Sequence, residues 1–219
     1  MDAPETFSAL PSRTPAPAIV LVPSIFGLND ETRRWLQMYS DAGFVALVYD
    51  PFWRTAPGAL SVTDPEDRKK AQHRRDHFDV EQGVSDLDDI ITIARGMPES
   101  NGKVAVVGYC FGGRYAMIAA ARLDVQAGVA FHGISMGQSL EVAPAIKAPV
   151  SFHFGDDDHS TPMSEVEQIQ AAFAGNPLAD IYVYRGAGHS FTWHGHRLYD
   201  AAADETSMRR ARNVLDTLK

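Results

Sequence analysis

The sequence predicts an α/β fold, a mainly parallel β-sheet covered by helices on both faces. Short runs rich in Val, Ile, Ala and Phe alternate with longer segments of helical periodicity. Such runs are typical of strands that are buried on both faces of a parallel sheet. The 219 residues contain no repeat or sharp shift in composition, so we expect one domain spanning residues 1–219.

Short apolar runs are predicted to form the strands of this sheet. The sequence between most of them is long enough for a crossover helix, which parallel neighbours require. The predicted strands are "AIVLVP" (18–23), "FVALVYD" (44–50), "KVAVVG" (103–108), "AGVAFHG" (127–133), "PVSFHFG" (149–155) and "DIYVYRG" (180–186).

Capping residues mark where the helices begin. The first predicted helix, in "NDETRRWLQMYSDAG", has Asn29 or Asp30 as N-cap and Gly43 as its stop. A second helix starts at Asp79, which stands at capping-box spacing from Gln82. Further helices are expected at 112–123, 162–174 and roughly 200–218.

The segment between the second strand and the second helix is the least regular. "PFWRTAPGALSVTDPED" (51–67) is rich in Pro and Gly and is predicted to be a long surface excursion. The basic cluster "EDRKKAQHRRDHFD" that overlaps its end has acidic neighbours, which is typical of a solvated helix face. Residues 55–77 could close over a site as a lid, and the sequence leaves that open.

Composition excludes several classes of function. The formal net charge of −8 repels phosphate backbones, so no nucleic-acid partner is expected. No apolar run approaches the roughly 20 residues that cross a bilayer, and the N-terminus lacks the pattern of a secretory signal. A single cysteine agrees with a reducing compartment, so we expect a cytoplasmic protein that does not act at a membrane.

The single cysteine, Cys110, stands in the glycine-rich stretch "GYCFGG" (108–113), between a predicted strand and a predicted helix. This is the setting of a nucleophile elbow, G-x-Nuc-x-G, whose glycines let the strand and the helix approach closely. The positive end of the helix would favour the thiolate. The N–H of Phe111 would supply one donor of an oxyanion hole.

Two other interpretations of Cys110 compete with the elbow. A lone cysteine in an apolar stretch is commonly a small buried hydrophobic residue. A phosphate-binding loop is nearly matched, but Arg114 and Tyr115 stand where that loop needs Lys and Ser or Thr. The choice therefore depends on whether catalytic partners for a thiol exist elsewhere.

Such partners follow two later strands. "DDDHSTP" (156–162) contains three adjacent aspartates, and "AGHSF" (187–191) contains His189. A cysteine nucleophile needs a histidine to exchange its proton and a carboxylate to orient that histidine. The chain order of nucleophile, acid and histidine is that of an α/β-hydrolase, and all three follow strands, where ligands bind in open α/β sheets.

The remaining histidines receive less specific interpretations. His194 and His196 form an H-x-H pair without further ligands nearby, so a surface loop is favoured over a metal site. His153 lies inside a predicted strand and is expected in the core. His132 ends the strand after the elbow helix and either lines the pocket or packs in the core.

Taken together, these stretches resemble the dienelactone hydrolase (carboxymethylenebutenolidase) family over almost the whole chain. The resemblance implies an α/β-hydrolase fold with a Cys-His-Asp triad, which opens dienelactone to maleylacetate in the bacterial breakdown of chlorinated aromatics. The matching stretches are "IFG" (25–27), "AGFVALVYDPFWR" (42–54), "FDVEQGVSDL" (78–87), "NGKVAVVGYCFGG" (101–113), "GDDDHSTP" (155–162) and "AGHSFTW" (187–193).

The resemblance also assigns roles to residues. It implies Cys110 as nucleophile, His189 as base, and Asp158 as acid, because the family pattern D-H-x-x-P begins at that aspartate. The oxyanion hole would use the backbone N–H groups of Phe111 and Ile25.

This chain departs from the family at two positions. Ser24 replaces a glutamate that pairs with the resting thiol in a "QEIFG" type pattern, so activation would depend more on His189 and the helix dipole. Arg68 matches one of the family's arginines for the substrate carboxylate, whereas Trp193 stands where a second arginine is expected. We therefore expect Ser24, Arg68, Trp193 and His132 to contribute to substrate binding, with weakened specificity for anionic lactones.

The sequence thus predicts a hydrolase of a small ester or lactone, with dienelactone as the first candidate substrate and no cofactor or metal. The alternatives are a hydrolase of a different, neutral ester and a catalytically silent relative that binds a ligand. The protein is expected to be a monomer or a weak homo-oligomer.

Overall fold

A computed structural model describes residues 4–219. Its seven strands form a mainly parallel sheet accompanied by helices, which confirms the predicted fold class. The chain divides into two compact units, the first ending at Val104 and the second running from Ala105 to Lys219. That the chain is one domain stays a prediction.

The strands of the first unit follow the order β1-β3-β2. β2 and β3 are parallel and buried along their whole length, as their unbroken apolar sequences predict. The sequence did not predict β1, a short and partly exposed strand that pairs antiparallel with β3. The strands are β1 (Thr6–Ala9), β2 (Ala16–Val22) and β3 (Val45–Tyr49).

Helix caps in the first unit follow the predicted signals. Asn29 is the N-cap of α1 and forms a reciprocal capping box with Thr32. Asp79 caps α3, and its side chain accepts a hydrogen bond from the Gln82 N–H. The helices are α1 (Asp30–Asp41), α2 (Pro65–Asp76) and α3 (Val80–Gly96).

Helix α2 corrects the prediction for residues 51–67, because the irregular stretch ends before Pro65, the first residue of the helix. The basic cluster is largely a solvated helix face, as predicted, with an exposed ion pair between Lys69 and Glu66. Arg74 is the exception. It is 2% exposed and donates hydrogen bonds to the backbone carbonyls of residues 25, 56 and 58.

The strands of the second unit follow the order β4-β5-β6-β7, and the pairs are all parallel. Because the carboxyl ends of parallel strands meet at one edge of a sheet, the loops after these strands lie together there. The strands are β4 (Ser100–Tyr109, which begins in the first unit), β5 (Ala127–Phe131), β6 (Val150–Gly155) and β7 (Ala179–Tyr184).

The helices of the second unit lie close to their predicted positions. The last one ends earlier than predicted and continues as a 3₁₀ turn at Asp216–Leu218. A kinked 3₁₀ segment at Met136–Ala145, which the sequence did not predict, joins β5 to β6. The helices are α4 (Phe111–Arg122), α5 (Met163–Ala172) and α6 (Ala201–Leu215).

An aromatic stack crosses these strands in register. Tyr109, Phe131, His153 and Tyr182 are direct cross-strand neighbours, with successive ring centroids 5.0, 4.8 and 5.4 Å apart. His153 is fully buried, as predicted for a core histidine. Cross-strand side-chain pairs stabilise a sheet, so this stack stabilises the pairing of β4, β5, β6 and β7.

Candidate active site

Cys110 occupies the turn between β4 and α4, and its backbone is strained there. Its φ is 55° and its ψ is −113°, a conformation that residues with a side chain rarely adopt. A Cβ on Gly108 would lie 2.0 Å from the Gly112 carbonyl oxygen, so the strand and the helix can approach only with glycine at this position. The structure therefore has the elbow geometry that the sequence predicted.

Backbone hydrogen bonds hold Cys110 in this conformation. Its N–H donates to the Phe131 carbonyl at 3.0 Å, and its carbonyl accepts from the N–H groups of Gly113 at 3.0 Å and Ile134 at 3.1 Å. These bonds come from both neighbouring elements, β5 and α4. The strained turn is thus fixed by its surroundings.

A cysteine, a histidine and an aspartate are linked in a line of hydrogen bonds. His189 lies in the loop after β7, and its Nε2 is 3.2 Å from the Cys110 Sγ. Its Nδ1 is 2.8 Å from Oδ2 of Asp158, in the loop after β6. The structure therefore brings together Cys110, Asp158 and His189, which the sequence placed in separate loops.

The three adjacent aspartates have different environments. Asp158 is 4% exposed, and its Oδ1 accepts hydrogen bonds from the N–H groups of Ser160 at 2.7 Å and Thr161 at 3.2 Å. Asp156 instead accepts from the backbone of the β7 turn, and Asp157 is exposed. Asp158 is thus the aspartate that is oriented toward His189.

The electrostatics of the line favour a charged imidazole. Burial lowers the pKa of His189, but the negative charge of Cys110 and the hydrogen bonds to Asp158 and Cys110 outweigh it and raise the pKa to about 10. An imidazolium next to sulfur stabilises a thiolate, the nucleophilic form of cysteine. Chemically, the arrangement can attack an electron-poor carbonyl carbon and move a proton through His189.

A second histidine lies against this line. The ring of His132 is 1% exposed and meets the ring of His189 edge-on, with the centroids 5.1 Å apart. Its Nε2 is 2.9 Å from Oγ1 of Thr192, which is fully buried. Sequence reasoning missed Thr192, since nothing in "SFTW" distinguishes its hydroxyl from that of any other loop residue.

Phe111 and Trp193, the other predicted site residues of the second unit, lie close in sequence to Cys110 and His189. Phe111 is the first residue of α4, where backbone N–H groups point out of the helix. Trp193 is partly buried in the loop that carries His189, and its N–H donates to the Ser190 carbonyl at 2.9 Å. Their roles toward a substrate stay predictions.

The remaining predicted residues belong to the first unit. Ser24 is buried, and its Oγ accepts a hydrogen bond from the Phe26 N–H at 3.3 Å. Ile25 is buried, and its carbonyl accepts from Nε of Arg74 at 2.7 Å. Arg68 is exposed on α2. The predicted roles of Ser24, Ile25 and Arg68 stay predictions.

The H-x-H pair lies on the surface. His194 is exposed, and its Nε2 is 3.1 Å from Oδ2 of Asp204. Among residues 4–219, no group of three or more His, Cys, Asp or Glu side chains could hold a metal ion. Within the same part of the chain, none of the helices has the length and apolar character needed to cross a membrane.

The mainly parallel sheet, the strained elbow and the loops at the carboxyl ends of β4, β6 and β7 define an α/β protein of the nucleophile-elbow class. The sequence profile of the dienelactone hydrolase family matches residues 5–219. The chain belongs to the dienelactone hydrolase family, and it is a hydrolase of esters or lactones.

Individual relatives agree with this assignment. A carboxymethylenebutenolidase from Pseudomonas putida is 38% identical over 218 residues, covering 98% of this chain and 92% of that protein. Carboxymethylenebutenolidase 1 from Cupriavidus pinatubonensis is 34% identical, covering 95% of this chain and 89% of that protein. A crystal structure of a protein from Klebsiella pneumoniae that bears the dienelactone hydrolase name has a TM-score of 0.85 at 24% identity, covering 96% and 92% of the two chains.

Proposed function

We propose that this hydrolase opens the lactone ring of dienelactone to give maleylacetate, with Cys110 as nucleophile, His189 as base and Asp158 as the acid that orients it. The observation that carries the proposal is the unbroken line from Sγ through the imidazole to Oδ2, with distances of 3.2 and 2.8 Å. The 38% identical relative is a carboxymethylenebutenolidase, which supports this substrate class.

The first half of the reaction forms a thioester. The Cys110 thiolate attacks the lactone carbonyl carbon, and the C=O electrons move onto oxygen to form an oxyanion. The backbone N–H groups of Phe111 and Ile25 would donate hydrogen bonds to that oxygen. The oxyanion then collapses, the ring C–O bond breaks, and the leaving group departs as an enolate. The enolate then takes the proton of the His189 imidazolium, which leaves the His189 ring neutral for the second half of the reaction.

The second half regenerates the thiolate and the imidazolium. His189, now neutral, takes a proton from water and becomes an imidazolium again, and the oxygen of that water attacks the thioester carbonyl. The C–S bond breaks, the thiolate returns to Cys110, and the new carboxylate leaves. Asp158 holds Nδ1 of His189 throughout, so Nε2 remains directed at the sulfur and at the attacking water.

A positive charge on His189 would favour the thiolate form of Cys110 before substrate binds. Burial opposes this charge, but the Cys110 charge and the Asp158 hydrogen bond raise the His189 pKa to about 10. Ser24, which stands where the family has a glutamate, turns its Oγ to the Phe26 backbone and brings no second carboxylate. We infer that the resting site holds a thiolate and an imidazolium.

The free thiol of Cys110 also suggests where the protein works. A thiolate nucleophile persists in a reducing compartment, so we propose a cytoplasmic location. A small ester or lactone is the proposed partner, and the chain is proposed to act as a monomer or a weak homo-oligomer.

A neutral ester is the second candidate substrate. It is favoured by Trp193, an apolar and partly buried side chain in the loop of His189, where an arginine would bind a carboxylate. The two candidates differ in the charge of the substrate and share the chemistry at sulfur.

The experiment is a comparison of Cys110→Ala and Cys110→Ser with the wild type on cis- and trans-dienelactone and on p-nitrophenyl esters, with maleylacetate as the measured product. We expect maleylacetate from the wild type and a loss of activity of about a thousandfold or more in both variants. An alanine variant at the wild-type rate would contradict the nucleophile. Wild-type activity on neutral esters alone would favour the second candidate.

A catalytically silent site is tested by the rate of iodoacetamide alkylation as a function of pH. A thiol that reacts like free cysteine at every pH would contradict the ion pair. Faster alkylation than free cysteine at and below neutral pH would support it.

A further inference from the structure

The chain segment at the end of β5 contacts every loop that carries the hydrogen-bonded line. We call this segment, residues 131–134, the β5 hub. On the elbow side, the Phe131 carbonyl accepts a hydrogen bond from the Cys110 N–H at 3.0 Å, and the Ile134 N–H donates to the Cys110 carbonyl at 3.1 Å. The hub therefore hydrogen-bonds both the N–H and the carbonyl of Cys110.

The β5 hub also binds the loop of the aspartate. The Gly133 carbonyl accepts a hydrogen bond from Oγ1 of Thr161 at 2.9 Å. The N–H of the same threonine donates to Oδ1 of Asp158, so Thr161 connects the hub with the carboxylate. Thr161 is fully buried, so loss of the bond to Gly133 would leave a buried hydroxyl without its partner, which is costly.

His132 joins the β5 hub to the histidine loop. Its ring meets the ring of His189 at 5.1 Å and 70°, and the ring of Phe191 at 5.5 Å and 78°. Its Nε2 lies 2.9 Å from the Thr192 hydroxyl. One side chain thus contacts three residues of the loop that carries the base.

We propose that His132 is a positioning residue, which holds the His189 ring where its Nε2 meets the Cys110 sulfur and which does not touch the substrate. Its 1% exposure and the engagement of Nε2 with Thr192 leave it little surface to offer a ligand. This role replaces the expected contact of His132 with substrate. The inference rests on the proposed function of Cys110 and His189.

The neutral state of His132 suits this role. His189 faces Cys110, Asp158 and His132, and a second positive ring beside it would weaken its charge interaction with sulfur. Burial, and then the charges of His189 and His196, lower the pKa of His132 well below its ordinary value of 6.5. His132 therefore supports the charged ring without repelling it.

Two substitutions separate the functions of the side chain. His132→Phe keeps a flat ring against His189 and removes the bond to Thr192, whereas His132→Gln keeps a polar group near the Nε2 position and removes the ring. His153→Phe is the matched control. His153 is also fully buried, but its ring nitrogens pair with Ser151 and Tyr184 instead.

The measurements are kcat and KM on the best substrate, the pH profile of iodoacetamide alkylation, and the melting temperature. Because a misplacement of about 1 Å can cost about a hundredfold in rate, we expect both His132 variants to lose between about tenfold and a hundredfold in kcat, with KM little changed. Their alkylation profile should move toward that of free cysteine. The His153 variant should lower the melting temperature and leave the alkylation profile at its wild-type position.

The inference is overturned if both His132 variants keep the wild-type kcat and alkylation profile, or if they behave like the His153 variant. If neither folds, Thr192→Val replaces them, since it removes the hydroxyl that pairs with His132. A profile moved toward free cysteine then supports the inference, and an unchanged profile overturns it. Activity that survives in Cys110→Ala contradicts the proposed function instead, so the two failures are distinguishable.

Discussion

The backbone of Gly155, at the end of β6, lies directly against the carbonyl of Ala187, two residues before His189. A Cβ on Gly155 would lie 2.0 Å from that carbonyl oxygen. The same oxygen accepts a hydrogen bond from the Asp157 N–H at 3.1 Å. The loops of the aspartate and the histidine are therefore held together by backbone contact as well as by the side-chain bond.

Gly155→Ala is expected to separate the two loops. Removal of the clash requires a backbone shift, and overpacking of this kind costs about 1–3 kcal/mol, so both the free energy of unfolding and kcat should fall. Denaturant unfolding and kinetics measure the two effects. Gly96→Ala is the control, since the added Cβ would meet no atom within 4 Å outside its chain neighbours and the backbone of its own helix. A loss in that variant equal to the loss in Gly155→Ala would contradict the explanation.

Asp158→Asn is expected to reduce kcat by about a thousandfold or more, because the amide cannot stabilise a charged His189 and can favour the wrong tautomer. Asp157→Asn is the control, since Asp157 is exposed and its side chain lies outside the hydrogen-bonded line. Steady-state kinetics on one ester are sufficient. Equal activity in the two variants would contradict the assignment of Asp158.

Arg68→Ala tests the proposed recognition of the substrate carboxylate. If the guanidinium binds that carboxylate, kcat/KM should fall by about tenfold to a hundredfold on anionic lactones and stay unchanged on neutral esters. Lys69→Ala is the control, because Lys69 lies beside Arg68 on α2 and pairs with Glu66. Equal losses on anionic and neutral substrates would count against the role.

The buried neutral histidine of the core should make stability depend on pH. Burial, and then the charge of Arg210, lower the pKa of His153 from 6.5 to about 3. A depressed pKa stabilises the fold above the unfolded value, and this stabilisation is lost as the pH falls from 6.5 toward 3. Each such histidine contributes a slope of about 1.4 kcal/mol per pH unit in this window.

His153→Gln should remove the contribution of one bound proton to the slope of the free energy of unfolding against pH. Urea unfolding of the wild type and the variant at several pH values between 4 and 7 measures the difference in slope, independently of the loss of packing at neutral pH. His132 contributes a shift in the same direction and remains in both proteins. Parallel curves for the two proteins would show that His153 does not bind a proton on unfolding.

Most of the fold could be predicted because its signals are local. The buried strands are continuous apolar runs, and the helix starts carry side chains that cap them, as Asn29 does for α1. β1 was missed because four partly exposed residues at a sheet edge have no apolar run. The burial of Arg74 was also unpredictable, since its partners are backbone carbonyls from distant loops.

The same distinction applies to the candidate site. The elbow of Cys110 is a local motif, and the chain order pointed to His189 and the aspartates. Thr161 and Thr192 were missed because their hydroxyls bond to residues of the β5 hub that are distant in sequence. The pairing of parallel strands brings these residues together, and no local pattern indicates it. Whether His132 faced a pocket or the core could not be decided for the same reason.

In the proposed reaction, Cys110 forms a covalent thioester with the substrate. The direct measurement is the mass of the protein, and of its peptide containing Cys110, after mixing with a slowly hydrolysed p-nitrophenyl ester and quenching in acid. We predict one acyl group on the peptide of the wild type and none on that of Cys110→Ala. Full turnover with no acyl group on Cys110 at any quench time would contradict the thioester intermediate.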